Sequence, residues 1–187
     1  MKFAYAQISD SLFRQEYSLS RAQEYIEMFL YAAISFSLPF LLGHEQLFVG
    51  SVVNCALVLA ALNLKGARLL PVIILPSIGA YLAGLIFGAA STALLYMLPF
   101  IWVGNAVLVL CIKYFVLDKK TNRVAALGIG ATAKAAFLFL SAFALLSFSM
   151  VPAAFLTAMG VFQLMTAAMG GAAALALQEG KKRMAAF

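Results

Sequence analysis

Six apolar runs separated by short connections are the feature that leaves this chain the fewest options. They cover roughly 25–42, 46–64, 69–90, 92–115, 124–149 and 152–177. Each is close to the about 20 residues that a helix needs to cross a hydrocarbon core about 30 Å thick. Barrel strands would alternate apolar and polar residues, and these runs do not, so helices are the economical reading. Composition agrees: 65% of residues are hydrophobic, 11% are charged and the mean hydropathy is +1.00. A soluble chain is roughly half apolar and a quarter charged, and a water-soluble fold of 187 residues could not hide this much apolar surface. The expected fold is all-α, a polytopic membrane protein with six transmembrane helices in a compact bundle.

The formal net charge of +6 does not point to nucleic acid, because twelve of the thirteen basic residues are placed as membrane topology requires, Lys134 being the exception. Lys2, Arg14 and Arg21 precede the first run. Lys65 and Arg68 occupy the second connection, Lys113, Lys119, Lys120 and Arg123 the fourth, and Lys181, Lys182 and Arg183 the tail. The first, third and fifth connections, around Gly43–Glu45, Ala89–Ser91 and Met150–Pro152, carry no Lys or Arg. The positive-inside rule then puts both termini in the cytoplasm and the chain in the cell (inner or plasma) membrane. Residues 1–24 read as a cytoplasmic or interfacial segment, 25–178 as the six-helix domain and 179–187 as a basic cytoplasmic tail. Tyr5, Ile8 and Leu12 lie at helical spacing opposite Asp10, Arg14 and Gln15. That suits either an amphipathic helix on the inner face or a flexible extension. Residues 1–24 lack the apolar core of a cleavable signal, so the first run is expected to persist in the mature protein.

Catalytic motifs are scarce. There is no GxxxxGK[ST], so energy from ATP would have to come from another protein. Gly128 and Gly130 open a G-x-G-x-x-A string inside a membrane run with no preceding strand, which reads as tight helix packing. Gly84-x-x-x-Gly88 and Ala33-x-x-x-Ser37 read likewise as close-approach faces. Cys55 and Cys111 form neither a CxxC pair nor a metal spacing. With one histidine and no carboxylate pair within the runs, an enzyme is not expected.

The informative residues are the polar ones inside the apolar runs. Asn54 lies about nine residues, or about 14 Å, from the outer end of its helix. Asn105, Gln163 and Lys134 fall at similar depths, near the midplane where transporter pockets sit. A lysine at a helix centre costs about 2.5–3.5 kcal/mol on insertion scales, and no acid lies at its depth. It either meets an anionic ligand group or a carbonyl cluster, or it snorkels toward the cytoplasm. The three amides can contact a ligand or simply join helices. Pro71, Pro76 and Pro99 are expected to interrupt helices three and four near this layer. His44, at the outer mouth beside Gln46, is solvated, an axial haem ligand or a contact to an entering substrate. Met97, Met159, Met165 and Met169 are the candidates for a softer second ligand, or core filler.

The segment His44-Glu-Gln-Leu-Phe-Val-Gly-Ser-Val-Val-Asn54 resembles the start of helix two in small six-helix membrane proteins related to the S components of energy-coupling factor (ECF) transporters, many of them labelled "iron hydrogenase". Met97-Leu-Pro-Phe-Ile-Trp-Val-Gly-Asn105, Lys134-Ala-Ala-Phe-Leu-Phe-Leu and Gln163-Leu-Met-Thr-Ala-Ala-Met-Gly-Gly171 resemble further stretches of the same group. The sequence departs from the pattern at Val49, where threonine is expected, and in helix one, which offers only Ala33-x-x-x-Ser37. The resemblance implies a substrate-binding subunit that captures a small molecule from outside and works with a membrane T subunit and two ATP-binding subunits, and Lys134 adds the expectation that the molecule is carboxylated. The expected pocket holds Asn54, Asn105, Lys134 and Gln163, with Gln46 and His44 at its mouth. Some relatives are associated with haem uptake, so a haem-binding protein with His44 as ligand is the second reading. A ligand-free assembly subunit is the third.

Overall fold

The computed structural model describes residues 10–42, 45–87 and 92–184. Among them the fold is all-helical: α1 (Arg21–Leu41), α2 (Gln46–Asn63), α3 (Leu70–Phe87), α4 (Thr92–Ile112), α5 (Arg123–Ser147), α6 (Ala154–Met159) and α7 (Val161–Met184). A 3₁₀ turn, Gly66–Leu69, leads into α3, and a π-helical turn, Lys113–Asp118, follows α4. Five segments are long and apolar enough to cross a membrane: Gln46–Asn63, Gly66–Leu85, Ala93–Asp118, Arg123–Ser147 and Ala154–Lys182. The first expected span does form a helix of 21 residues. It stays outside that set because Glu24, Glu27, Ser35, Ser37 and Pro39 dilute its apolar character.

Local chemistry explains the boundaries. α1 begins four residues before the expected position, because Ser20 and Gln23 form a capping box: each side chain accepts the other's backbone N–H, at 3.3 and 2.9 Å. Asn122 caps α5 by accepting from the amides of Val124 and Ala125. The sixth run is two helices, broken at Gly160, where φ is −98° and ψ −92°. α7 then continues to Met184, so Lys181 and Lys182 belong to its last turns rather than to a separate tail. The prolines do not interrupt helices three and four as expected. Pro71 lies in the first turn of α3, where its missing N–H is harmless, and Pro76 and Pro99 lie within unbroken helices.

α2 is the central helix. Leu57, Val58, Ala60, Ala61 and Leu62 are fully buried, and α1, α4 and α7 pack around it. α3 closes against α1 and α4, and α5 bridges α4 and α7. Glycines permit the closest crossings. A Cβ at Gly170 would collide with the carbonyl of Ser51 on α2, and one at Gly79 with the carbonyl of Phe36 on α1. The expected pair at Gly128 and Gly130 divides: Gly130 abuts Leu108 and Cys111 of α4, whereas a Cβ on Gly128 would meet open space. In the Ala33-x-x-x-Ser37 motif the two named residues are only half-buried, and Ala32 and Ser35 face the core instead. Large apolar side chains such as Phe29, Leu140, Phe143, Val161 and Leu177 cover the outside of the bundle, as lipid contact requires.

Candidate functional site

In α2, Gln46, Val49, Gly50, Val53 and Asn54 follow the i, i+3, i+4, i+7, i+8 spacing of one helix face. That face lines a cavity of about 210 Å³. The other walls come from Pro39 of α1, Pro76, Ser77 and Ala80 of α3, Leu94, Ile101 and Asn105 of α4, Lys134 of α5, and Met159 and Gln163 on either side of the Gly160 break. Every polar residue expected in the pocket that the structure describes lines this one cavity: Gln46, Asn54, Asn105, Lys134 and Gln163. His44 lies outside the described residues.

Lys134 is 2% exposed and does not snorkel. Its Nζ donates to Asn54 Oδ1 at 2.6 Å. An ammonium can only donate, so it dictates which end of the Asn54 amide faces it. The Asn54 amide nitrogen then donates to the Gly50 carbonyl at 2.9 Å and to Thr166 Oγ1 at 3.1 Å, and Thr166 Oγ1 donates to the Gln163 carbonyl at 3.3 Å. One chain of hydrogen bonds thus joins α5, α2 and α7. No carboxylate pairs with Lys134 among the described residues.

On the opposite wall Asn105 donates from its amide nitrogen to the Ile73 carbonyl at 2.9 Å. Pro76 has no N–H for the neighbouring Val72 carbonyl, so α3 is loosened where Asn105 ties it to α4. Trp102 Nε1 donates to Ser77 Oγ at 2.8 Å, which itself donates to the Ile74 carbonyl at 3.0 Å. Thr166, Ser77 and Trp102 were not singled out from sequence. For Thr166 the available signal was its place three residues after Gln163. Of the four methionines only Met159 reaches the cavity. Met97 is fully buried among apolar side chains, and Met165 and Met169 face outward. No group of three His, Cys, Asp or Glu capable of holding a metal occurs among the described residues.

A second polar layer closes the end of the bundle that carries the chain termini. From Asp10 the N-terminal segment runs as a strap across the helix ends, helical at residues 10–12 and without helix from 13 to 20, while Tyr5 and Ile8 of the expected amphipathic face lie outside the described residues. Glu16 N–H donates to the Leu62 carbonyl at 2.8 Å. The Glu16 carboxylate pairs with Arg123 and Lys182 and accepts from Gln178 at 3.0 Å. Gln178 and Asn63 join α7 to α2 at 2.9 Å. Gln15 donates to Glu24 and to the Asn63 carbonyl, each at 2.8 Å, and Glu24 pairs with Lys65 and Arg68. Lys113, expected in a connection, is instead fully buried and donates to the carbonyls of Arg14 at 2.6 Å and Leu64 at 2.7 Å. Burial alone would raise the Glu16 carboxyl, but hydrogen bonds from Arg123, Lys182 and Gln178 outweigh it and hold it below the ordinary carboxylate value. Glu24 is depressed in the same way, desolvation being outweighed by Gln15, Lys65 and Arg68.

The cavity draws no residue from this strapped end, and its walls run from mid-helix toward the end bearing the first, third and fifth connections. A buried amine with unspent N–H groups, among amides and apolar walls, can neutralise and orient an anionic group. No protein-family model, curated protein or solved structure matches the chain.

Proposed function

We propose that the chain is the substrate-binding membrane subunit of an ECF-like importer that captures a small carboxylated molecule from outside. In this reading α1 is the sixth span, and both termini are cytoplasmic. The basic residues at the termini end support that orientation, with the Lys- and Arg-free connections outside. The observation that carries the reading is Lys134, buried on the wall of a cavity with an amide partner and no acid. A lone buried amine there is costly unless a ligand supplies the counter-charge. The carboxylate would meet Lys134, with Asn105, Gln163 and Gln46 orienting the remainder. A membrane T subunit with two ATP-binding subunits would drive release inward, consistent with a sequence that has no P-loop.

A cavity of about 210 Å³ is smaller than the about 300–1,000 Å³ of drug-sized sites, which favours a ligand of few atoms over a haem macrocycle. The test is a thermal-shift screen of the full chain in mild detergent against small monocarboxylates, with wild type, Lys134→Arg and Lys134→Met compared. A ligand at 100 times its dissociation constant adds about 2.7 kcal/mol of stability. At least one carboxylate should raise the melting temperature of wild type and fail to do so for Lys134→Met. Stabilisation that survives Lys134→Met, or none across the panel, overturns the reading.

A further inference from the structure

We infer that the ligand is a small monoanion whose other polar group is an uncharged hydrogen-bond donor, which excludes zwitterionic amino acids, cations and dianions. This rests on the carboxylate-capture reading and narrows it by two independent counts of what the cavity walls offer.

The first count is charge. Lys134 is the one ionisable side chain among the described residues lining the cavity. The acids Glu16, Glu24, Glu27 and Asp118 are engaged in ion pairs at the termini end, and Asp10, Glu45 and Glu179 are exposed. A monoanion beside Lys134 leaves the occupied site neutral. A zwitterion brings an ammonium into an enclosure that already holds one and has no carboxylate for it. Buried charge without a partner is costly, and two like charges a few ångströms apart repel strongly in a medium of low dielectric. A dianion leaves the opposite excess.

The second count is hydrogen bonds. The Asn54 amide is spent: its oxygen accepts from Lys134 and its nitrogen donates to Gly50 and Thr166. Trp102 and Ser77 are spent on each other and on Ile74. Lys134 keeps two of its three N–H groups for a carboxylate. Asn105 spends one N–H on Ile73, and its Oδ1 has no partner among the described residues. An amide oxygen on the cavity wall can accept from a ligand, and an N–H or O–H that carries no charge supplies the donor without disturbing the charge balance. The apolar part of the lining includes Val49, Val53, Ile101 and Ala80, which suit a ring or short aliphatic spacer.

Four probes of one ring size separate these demands: pyroglutamate (anion with a lactam N–H), proline (zwitterion), cyclopentanecarboxylate (anion without a donor) and 2-pyrrolidone (neutral lactam). Binding is measured by isothermal titration calorimetry on the full chain in mild detergent. Pyroglutamate should bind about tenfold or more tightly than each of the other three, the scale expected for the loss of one hydrogen bond or charge partner. Lys134→Met should reduce pyroglutamate to the level of 2-pyrrolidone. Asn105→Leu should erase its advantage over cyclopentanecarboxylate. Should the leucine variant fail to fold, Asn105→Asp adds the missing carboxylate and should shift preference toward proline. Proline or cyclopentanecarboxylate matching pyroglutamate overturns the inference and leaves carboxylate capture standing. 2-Pyrrolidone matching it, with no effect of Lys134→Met, overturns both. No binding by any of the four overturns the inference, while the monocarboxylate screen decides the broader reading separately.

Discussion

Lys134 donates its Nζ to Asn54 Oδ1 at 2.6 Å across 80 positions of sequence, joining the middle of α5 to the middle of α2. The pair is asymmetric, because the amide also donates to Gly50 and Thr166 whereas the amine has no other partner among the described residues. Asn54→Leu should therefore destabilise the empty protein by about 2–3 kcal/mol, the cost of stranding a charged donor. Lys134→Met should cost less, and the double variant should recover part of the Asn54→Leu loss. Melting temperatures of the four proteins in one detergent form the cycle. Strict additivity would contradict the pairing.

Two glycines on neighbouring helices should behave oppositely. A methyl group at Gly170 meets the Ser51 carbonyl and the Cys55 amide nitrogen of α2, so Gly170→Ala must push α7 outward at about 1–3 kcal/mol. Gly128→Ala meets nothing within 4 Å and should stabilise α5 by about 0.5–1 kcal/mol through helix propensity. Thermal unfolding of the two variants checks both signs.

Acid should loosen the N-terminal strap. Glu16 and Glu24 both lie below the ordinary carboxyl value of 4.5 in the folded protein. Groups shifted downward contribute stability that is fully present above the unfolded value and lost as pH falls through the folded one. The strap should thus hold at neutral pH and open progressively below about pH 4.5. Hydrogen–deuterium exchange over residues 10–20 at a series of pH values measures this, and Glu16→Gln should flatten part of the profile.

Lys113 and Lys119 are six residues apart in sequence, yet only Lys113 is buried. Lys113→Met strands the carbonyls of Arg14 and Leu64 and should lower protection of the strap by about 1–3 kcal/mol. Lys119→Met should change it by less than about 0.5 kcal/mol. Exchange protection of residues 10–20 is the readout for both.

The six-span topology is checked by labelling. In a chain with Cys55→Ala and Cys111→Ala, single cysteines at Glu45 and Ser149 should react with an impermeant maleimide applied to intact cells. Cysteines at Lys119 and Asp10 should react only after permeabilisation. A cysteine at Asp10 labelled from outside would mean that α1 does not cross.

What the sequence determined by itself is what local chemistry dictates. Length and hydropathy decide which segments become helices, because a backbone in hydrocarbon must satisfy its own hydrogen bonds. The same reasoning marked Asn54, Asn105, Lys134 and Gln163 as residues with a reason to be inside. What only the tertiary structure decided is which of these groups meet. That depends on how far each helix is rotated and shifted along its axis, and contacts distant in sequence, such as Gly170 of α7 against α2 and Gly79 of α3 against α1, set those positions. Thr166 completes the Asn54 network, and Lys113 turns inward to hold the strap. Each is an outcome of packing between segments that no periodicity within one segment encodes.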